Sequence, residues 1–336
     1  MQRPGLRVTA ALVGAALLLT GCSSGDDQND ISTIERATPA DSPPSSSDPA
    51  GTVQSLGLSI DSATFDPNTR TVIVTGDDGR KVLLSNADDP AAPPRAIEVD
   101  TPVHKVVPLG DGTALLAMDE QVGSLDLRSG EVTPIPVEGT VLSAARLPDG
   151  RIATGTDSGE IHIVDPEADA VQTVTGLASV DALAVVGDTL TALDRKQTSV
   201  TEIYLDDSSL GMALRVGEGA SRLTTDPFGR ILITDTPGDE MLVYSTDPLV
   251  LRQRFPVGPA PVGLAYDEGA NTAWVTLTGT NEVVGFDLST GVGVEIARFP
   301  TVHQPNSLAV DSDTGNLYVG SATGAGLQRI PTRAQN

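Results

Sequence analysis

Among side chains that can act as nucleophile or base near neutral pH, this 336-residue chain holds one cysteine, Cys22, and three histidines, His104, His162 and His303. No G-x-S-x-G stretch offers a serine on a strained turn, so a hydrolase of that kind has no nucleophile here. None of the histidines lies in a catalytic motif, and a turn or surface position accounts for each. The run Asp311-Ser312-Asp313-Thr314-Gly315-Asn316 alternates oxygen ligands like a calcium loop. Its glycine comes one place early, however, and the twelfth position is Ala322 rather than an acid. Asp, Gly and Asn there supply the backbone angles of a hairpin turn instead.

The surroundings of Cys22 assign it a different chemistry. Arg3 and Arg7 give a positive start, the run from Val8 to Leu19 is apolar, and small residues precede Cys22, which are the three parts of an export signal. Such a run is too short to span a bilayer, which takes about 20 residues of helix. Leu19-Thr20-Gly21-Cys22 resembles the lipobox of bacterial lipoproteins. That resemblance implies cleavage of residues 1–21, acylation of Cys22 by diacylglyceryl and palmitate-type chains, and attachment to the extracytoplasmic face of the cell membrane. Two or three acyl chains at about 0.8 kcal/mol per buried methylene anchor a protein stably, whereas one does not. With Cys22 consumed, no disulfide is available to the rest of the chain.

The elements beyond the anchor follow from composition. Ser23 to Ala50 is rich in Ser, Pro and Asp and poor in large apolar residues, so residues 22–50 are expected to form a disordered tether. Past residue 50, the core must be aliphatic, because aromatics make up only 3% of the chain against 39% hydrophobic residues. Valine, isoleucine and threonine suit pleated sheets, and 34 glycines with 24 prolines would interrupt long helices repeatedly. An all-β fold is predicted. Basic residues number 21 against 45 acidic ones, a net charge of −24, and no basic run offsets it, so nucleic acid is not an expected partner.

Internal repeats organise this domain, residues 51–336. Stretches starting at Ala63, Val106, Ala144, Leu183, Leu223, Leu264 and Leu308 each read as a short apolar strand, an Asp/Gly/Asn turn, a second strand, a Gly/Thr turn and a third strand. Their first turns fall near Asn68, Gly112, Gly150, Gly187, Gly229, Gly269 and Gly315, about 41 residues apart. A unit of that length is one propeller blade, so the spacing predicts a seven-bladed β-propeller. The last unit lacks an outer strand, and Gly51 to Gly57 is expected to supply it and close the ring.

The passage from Pro261 to Gly291 is similar to the YVTN repeat of bacterial surface propellers, and that from Leu223 to Ser245 resembles NHL-type blades. With the lipobox, the chain resembles actinobacterial propeller lipoproteins, a family without an established function. The resemblance implies a monomeric, membrane-anchored binding or scaffolding module at the cell envelope, meeting an envelope protein or a small-molecule ligand and needing no cofactor. Its working surface would be one mouth of the ring, where His303, Asn306 and Arg222 stand at the starts of inner strands. An enzymatic alternative is also implied. PNSLAVD resembles the Asn-bearing inner strand of gluconolactonase-like propellers and LITDT their Asp-bearing strand, which nominates Asn306 and Asp235 as ligands of a divalent cation such as calcium. Gly263 and Arg222 stand where further oxygen ligands would be needed.

Overall fold

Short β-branched runs broken by Asp, Gly and Asn turns fold as the repeats require. The computed structural model describes residues 31–166 and 171–333. The export segment 1–21 and the acylation site Cys22 lie outside the described residues.

The first strand, β1 (Thr52–Gln54), is followed by β2 (Ile60–Asp66), β3 (Thr71–Gly76), β4 (Lys81–Asn86) and β5 (Arg95–Ile97), which form one antiparallel sheet in that order. Next come β6 (Val103–Pro108), β7 (Thr113–Asp126), β8 (Val132–Arg146), β9 (Ile152–Thr156), β10 (Ile161–Val164) and β11 (Val171–Val174), which make a six-stranded sheet. The third sheet is β12 (Ala182–Val186), β13 (Thr189–Asp194), β14 (Ser199–Tyr204) and β15 (Ser209–Arg215). The fourth is β16 (Ala220–Thr225), β17 (Arg230–Asp235), β18 (Glu240–Ser245) and β19 (Val250–Pro256). The fifth is β20 (Pro261–Asp267), β21 (Thr272–Leu277), β22 (Glu282–Asp287) and β23 (Val294–Pro300). The sixth joins β24 (Pro305–Asp311), β25 (Asn316–Ser321) and β26 (Leu327–Pro331) to β1.

The seven separate blades expected from the repeats are thereby corrected: the propeller has six sheets among the described residues. The units beginning at Val106 and Ala144 are continuous with each other. β7 pairs with β6 through Val103↔Met118, then with β8 through Asp119↔Thr140 and Leu125↔Val132. β8 runs on to pair with β9 through Val141↔Thr156 and Arg146↔Ile152. Positive φ at Glu120 (59°) and Gly139 (83°) lets these strands bend sharply while the hydrogen-bonded ladder passes on, so the two units share one sheet.

The sheets stand around an axis. β2 packs beside β6, β6 beside β8, and β8 beside β12; β16, β20 and β24 follow in turn, and β24 returns to β2. Side chains from facing sheets fill the spaces between. Leu232, Met241 and Val243 of one sheet meet Val275, Val284 and Phe286 of the next, and Phe65 stacks on Tyr318 with ring centroids 5.9 Å apart. Each fully buried aliphatic side chain in these layers contributes about 1.5–3 kcal/mol. No single sheet could bury both faces alone, so stability belongs to the ring.

Closure comes from the N-terminal side of the domain. Thr52, Val53 and Gln54 of β1 pair with Arg329, Gln328 and Leu327 of β26. Gln328 is fully buried; its Nε2 donates to Ala50 O at 2.7 Å and Pro300 O at 3.1 Å, and its Oε1 accepts from Val302 N at 2.8 Å. Gly51 has φ 71°, and a Cβ there would collide with the Arg329 carbonyl oxygen.

The stretch expected as a free tether lies against the ring over residues 32–50. It has no regular secondary structure, yet Ile34 N donates to Lys196 O at 2.7 Å and Ser42 Oγ to Thr278 O at 2.7 Å. Gln304 Nε2 donates to Ala40 O at 2.9 Å, Asn281 Nδ2 to Pro43 O at 2.8 Å, and Ala50 N to Pro300 O at 3.0 Å. Low hydrophobicity predicts disorder only when a segment must bury its own surface. Here the ring supplies side-chain amides and loop carbonyls that satisfy the strap's backbone.

Candidate functional site

Inner strands expose their starts at one end of the ring, and charged side chains gather there. A central cavity of about 420 Å³ is lined by β2, β6, β16, β20 and β24, with Asp61, His104, Lys105 and Arg222 among its walls. A neighbouring cavity of about 250 Å³ shares His104, Lys105 and Arg222 and adds Arg36, Asp181 and Arg195. The two adjoin at His104, Lys105, Arg222 and Leu223, and Leu264 and Leu308 add apolar wall to the first.

Four cations and two carboxylates face this space. Arg36 comes from the strap; its Nε donates to Asp181 Oδ1 at 2.6 Å and its Nη2 to Asp157 Oδ1 at 2.5 Å. Asp181 also accepts from Arg195 N at 2.8 Å and Ser179 Oγ at 2.5 Å. Arg195 Nε donates to Ala220 O at 3.1 Å, and its Nη2 bonds the strap at Ala37 O. Asp61 Oδ2 accepts from Gly79 N at 2.8 Å. His104 Nε2 lies 3.0 Å from Asp119 Oδ1. Arg222 donates its backbone N–H to Thr234 Oγ1, and its guanidinium has no hydrogen-bond partner among the described residues. Lys105 and Arg222 are enclosed by strands but keep part of their surface open to the cavity.

Enclosure shows in the acidities. Burial, reinforced by the Arg222 and Arg195 charges, pushes the Lys105 ammonium down to about 8. Burial and then Arg222 bring the Arg195 guanidinium down to about 10. Arg222 is likewise lowered by burial, with the Asp61 carboxylate pulling it the other way. Burial raises Asp61, against the Gly79 N–H that favours its ionised form. At pH 7 the cluster remains cationic, inside a chain whose net charge is −24.

Of the residues nominated from sequence, Arg222 alone lies in this cavity. His303 meets the strap instead: its Nε2 is 3.2 Å from Ser42 O and its Nδ1 2.9 Å from Thr323 Oγ1. Asn306 Oδ1 accepts from Gln304 Nε2 at 3.1 Å. His162 is buried away from the mouth, with Nδ1 3.2 Å from Thr173 Oγ1.

Asp235 is fully buried at the end of β17, and its carboxylate accepts backbone N–H groups from Glu218 at 2.7 Å, Gly219 at 2.8 Å and Gly238 at 3.3 Å. A carboxylate so occupied is a loop clamp. Asn306 is engaged by Gln304, and no group of three His, Cys, Asp or Glu side chains converges among the described residues. The donor set therefore does not fit a lactonase-type cation. The Asp311 stretch is a turn: its carboxylate accepts from Asp313 N, Thr314 N, Thr314 Oγ1 and Arg70 Nη2.

Sequence reasoning missed Lys105, Arg195 and Arg36. A signal existed for Lys105, one lysine in the apolar strand Val103–Pro108 at the start of an inner strand. Nothing local could mark Arg36, which reaches the site from a Ser/Pro/Asp-rich segment.

The fold and this mouth define a β-propeller with a solvent-reaching central cavity. Solved structures agree on the fold. The chain superposes on a chain of Kuenenia stuttgartiensis hydrazine synthase with TM-score 0.70 and 14% identity, covering 85% of this chain and 99% of that one. A chain of the mitotic checkpoint complex gives 0.71 at 16% identity, covering 89% and 99%. A streptogramin B lyase gives 0.67 at 13%, covering 82% and 95%. These propellers serve unrelated ends, so the likeness extends to architecture. No protein family and no curated protein sequence matches the chain.

Proposed function

We propose that the chain is a lipid-anchored lipoprotein, of the actinobacterial propeller kind, that acts as a ligand-binding module on the extracytoplasmic face of the cell membrane. The observation that carries the binding reading is the central cavity, where polar side chains from several inner strands converge above apolar walls and under a strap. Pockets of this size and make-up are the usual seats of small ligands. The anchor rests on the order of Arg3, the apolar run, and Leu19-Thr20-Gly21-Cys22.

Two measurements test the two halves. Native mass spectrometry of the purified full chain is expected to find a small molecule retained by the protein. Metabolic labelling with an alkyne fatty acid is expected to mark the wild-type chain and not Cys22→Ala, which should leave the membrane fraction. A protein that stays unlabelled, or a Cys22→Ala variant that stays with the membrane, removes the anchor from the reading.

A further inference from the structure

Lysines other than Lys105 find carboxylates among the described residues. Lys81 Nζ lies 2.7 Å from Asp77 Oδ2, and Lys196 Nζ lies 3.1 Å from Asp157 Oδ1. Three enclosed arginines elsewhere are matched as well: Arg70 with Asp311 at 2.8 Å, Arg230 with Asp226 at 2.6 Å, and Arg333 with Asp267 at 2.9 Å. With 45 acidic residues to draw on, this chain has no shortage of counter-charges. Yet Lys105, enclosed in the site, makes no side-chain hydrogen bond or ion pair among the described residues, and neither does the guanidinium of Arg222 beside it. Of the carboxylates lining the space, Asp61 acts on Arg222 through its charge without bonding it and accepts Gly79 N instead, and Asp181 is engaged by Arg36, Arg195 N and Ser179 Oγ. Unpaired enclosed charge is strongly destabilising, so a fold that keeps it has left a place for an opposite charge from outside.

We infer that this cavity binds an organic oxyanion, a carboxylate or phosphate monoester with an apolar body. Its charged head is held by Lys105, Arg222 and Arg195, and its body lies along Leu223, Leu264 and Leu308. The assignment rests on the reading of the cavity as the ligand site and adds the ligand's class. An arginine fork and a lysine point charge together suit either planar or tetrahedral oxyanions. The walls beyond the cations mix Leu223, Leu264 and Leu308 with the hydroxyls of Ser62, Thr64, Thr224 and Ser307, which gives an organic body apolar surface to lie on beside the charged head. Arg36, held over the mouth by Asp181 and Asp157, adds a further cation at the entrance.

The test titrates the full chain, purified in detergent, with benzoate, phenyl phosphate and the neutral benzamide, following heat and thermal midpoint. Benzoate or phenyl phosphate should bind and raise the midpoint, with benzamide at least tenfold weaker. Lys105→Gln and Arg222→Gln should each lose at least tenfold in affinity while unfolding no lower than wild type, since each removes an unpaired charge. Lys105→Arg and Arg222→Lys keep the charge and should retain most of the binding, which separates charge loss from misfolding. Comparison of the two charged probes distinguishes carboxylate from phosphate. Binding of neither, or binding that survives both glutamine variants, overturns the oxyanion assignment. Benzamide binding as tightly as benzoate also overturns it, while leaving the cavity as a ligand site. A chain that takes none of the probes and retains no small molecule on purification removes both.

Discussion

Arg36 Nε donates to Asp181 Oδ1 at 2.6 Å across 145 positions of sequence, tying the strap to the loop that enters β12. A second donor of the same guanidinium reaches Asp157 at the end of β9. One side chain thus joins two elements of the mouth to a segment with no sheet of its own. Burial pulls Arg36 down, but the Asp157 and Asp181 contacts outweigh it, and its pKa is raised overall.

Removing that side chain should loosen the strap and spare the ring. In Arg36→Ala, amide exchange at Ile34 and Ser42, which bond to Lys196 O and Gln304 Oε1, is expected to quicken by roughly tenfold, with Thr52–Gln54 unchanged. The pair with Asp157 is half-exposed and worth about 1 kcal/mol or less, and the largely buried Asp181 keeps Arg195 N and Ser179 Oγ as donors, so the thermal midpoint should move little. Hydrogen exchange read by mass spectrometry checks this, and unchanged exchange at both amides would show that the strap is held without Arg36.

Stability should rise with pH through the alkaline range because of Lys105. Its folded pKa, about 8, lies below the ordinary lysine value of 10.5, so between those limits the unfolded chain holds a proton that the folded chain does not. The penalty is full below pH 8 and is relieved as pH climbs toward 10.5. Arg195, brought down to about 10 in the folded chain, adds a rise of the same sign at the upper edge of that window. Lys105→Met should flatten this part of the profile and stabilise the ligand-free protein by about 1–3 kcal/mol at pH 7. Chemical denaturation of both proteins from pH 7 to 10 measures it.

Ring closure hangs on Gln328. Replacing it by leucine leaves Val302 N, Ala50 O and Pro300 O without their amide partner in a closed space. The expected cost is about 2–4 kcal/mol, or a midpoint lower by roughly 5–10 °C. Deleting residues 51–59 should lower it further, since β1 goes with them. An unaltered midpoint in the deletion would mean that β1 does not lock the ring.

Asp235 separates a structural carboxylate from a metal ligand. Asp235→Asn places an amide NH₂ among backbone N–H donors, and a loss of about 2–4 kcal/mol is expected whether or not calcium is present. Denaturation with calcium and with chelator should give the same difference between mutant and wild type. A calcium-dependent difference would restore Asp235 to a metal site.

Strand content, the aliphatic core and the outer strand from Gly51 onward were legible because each is a local pattern: β-branched runs, punctuating turns, and a repeat lacking one strand. Asp311 and its neighbours were legible as a turn for the same reason. The sheet count was not. Only the positive φ at Glu120 and Gly139, set by packing, turns two repeats into one continuous sheet. His303 and Asn306 carried the right chemistry but were placed at the ligand space by strand position alone, whereas His303 meets Ser42 of the strap and Asn306 is bonded by Gln304.

By itself the sequence determined that this is a β-propeller, because the free energy of burying an apolar strand face is written residue by residue at fixed spacing. It also determined that charge would be overwhelmingly acidic. Tertiary structure alone decided that Lys105, Arg195, Arg222 and Arg36, far apart in the chain, would share one mouth. A charge acts through space on whatever the fold brings near, and that neighbourhood has no signature in the order of residues.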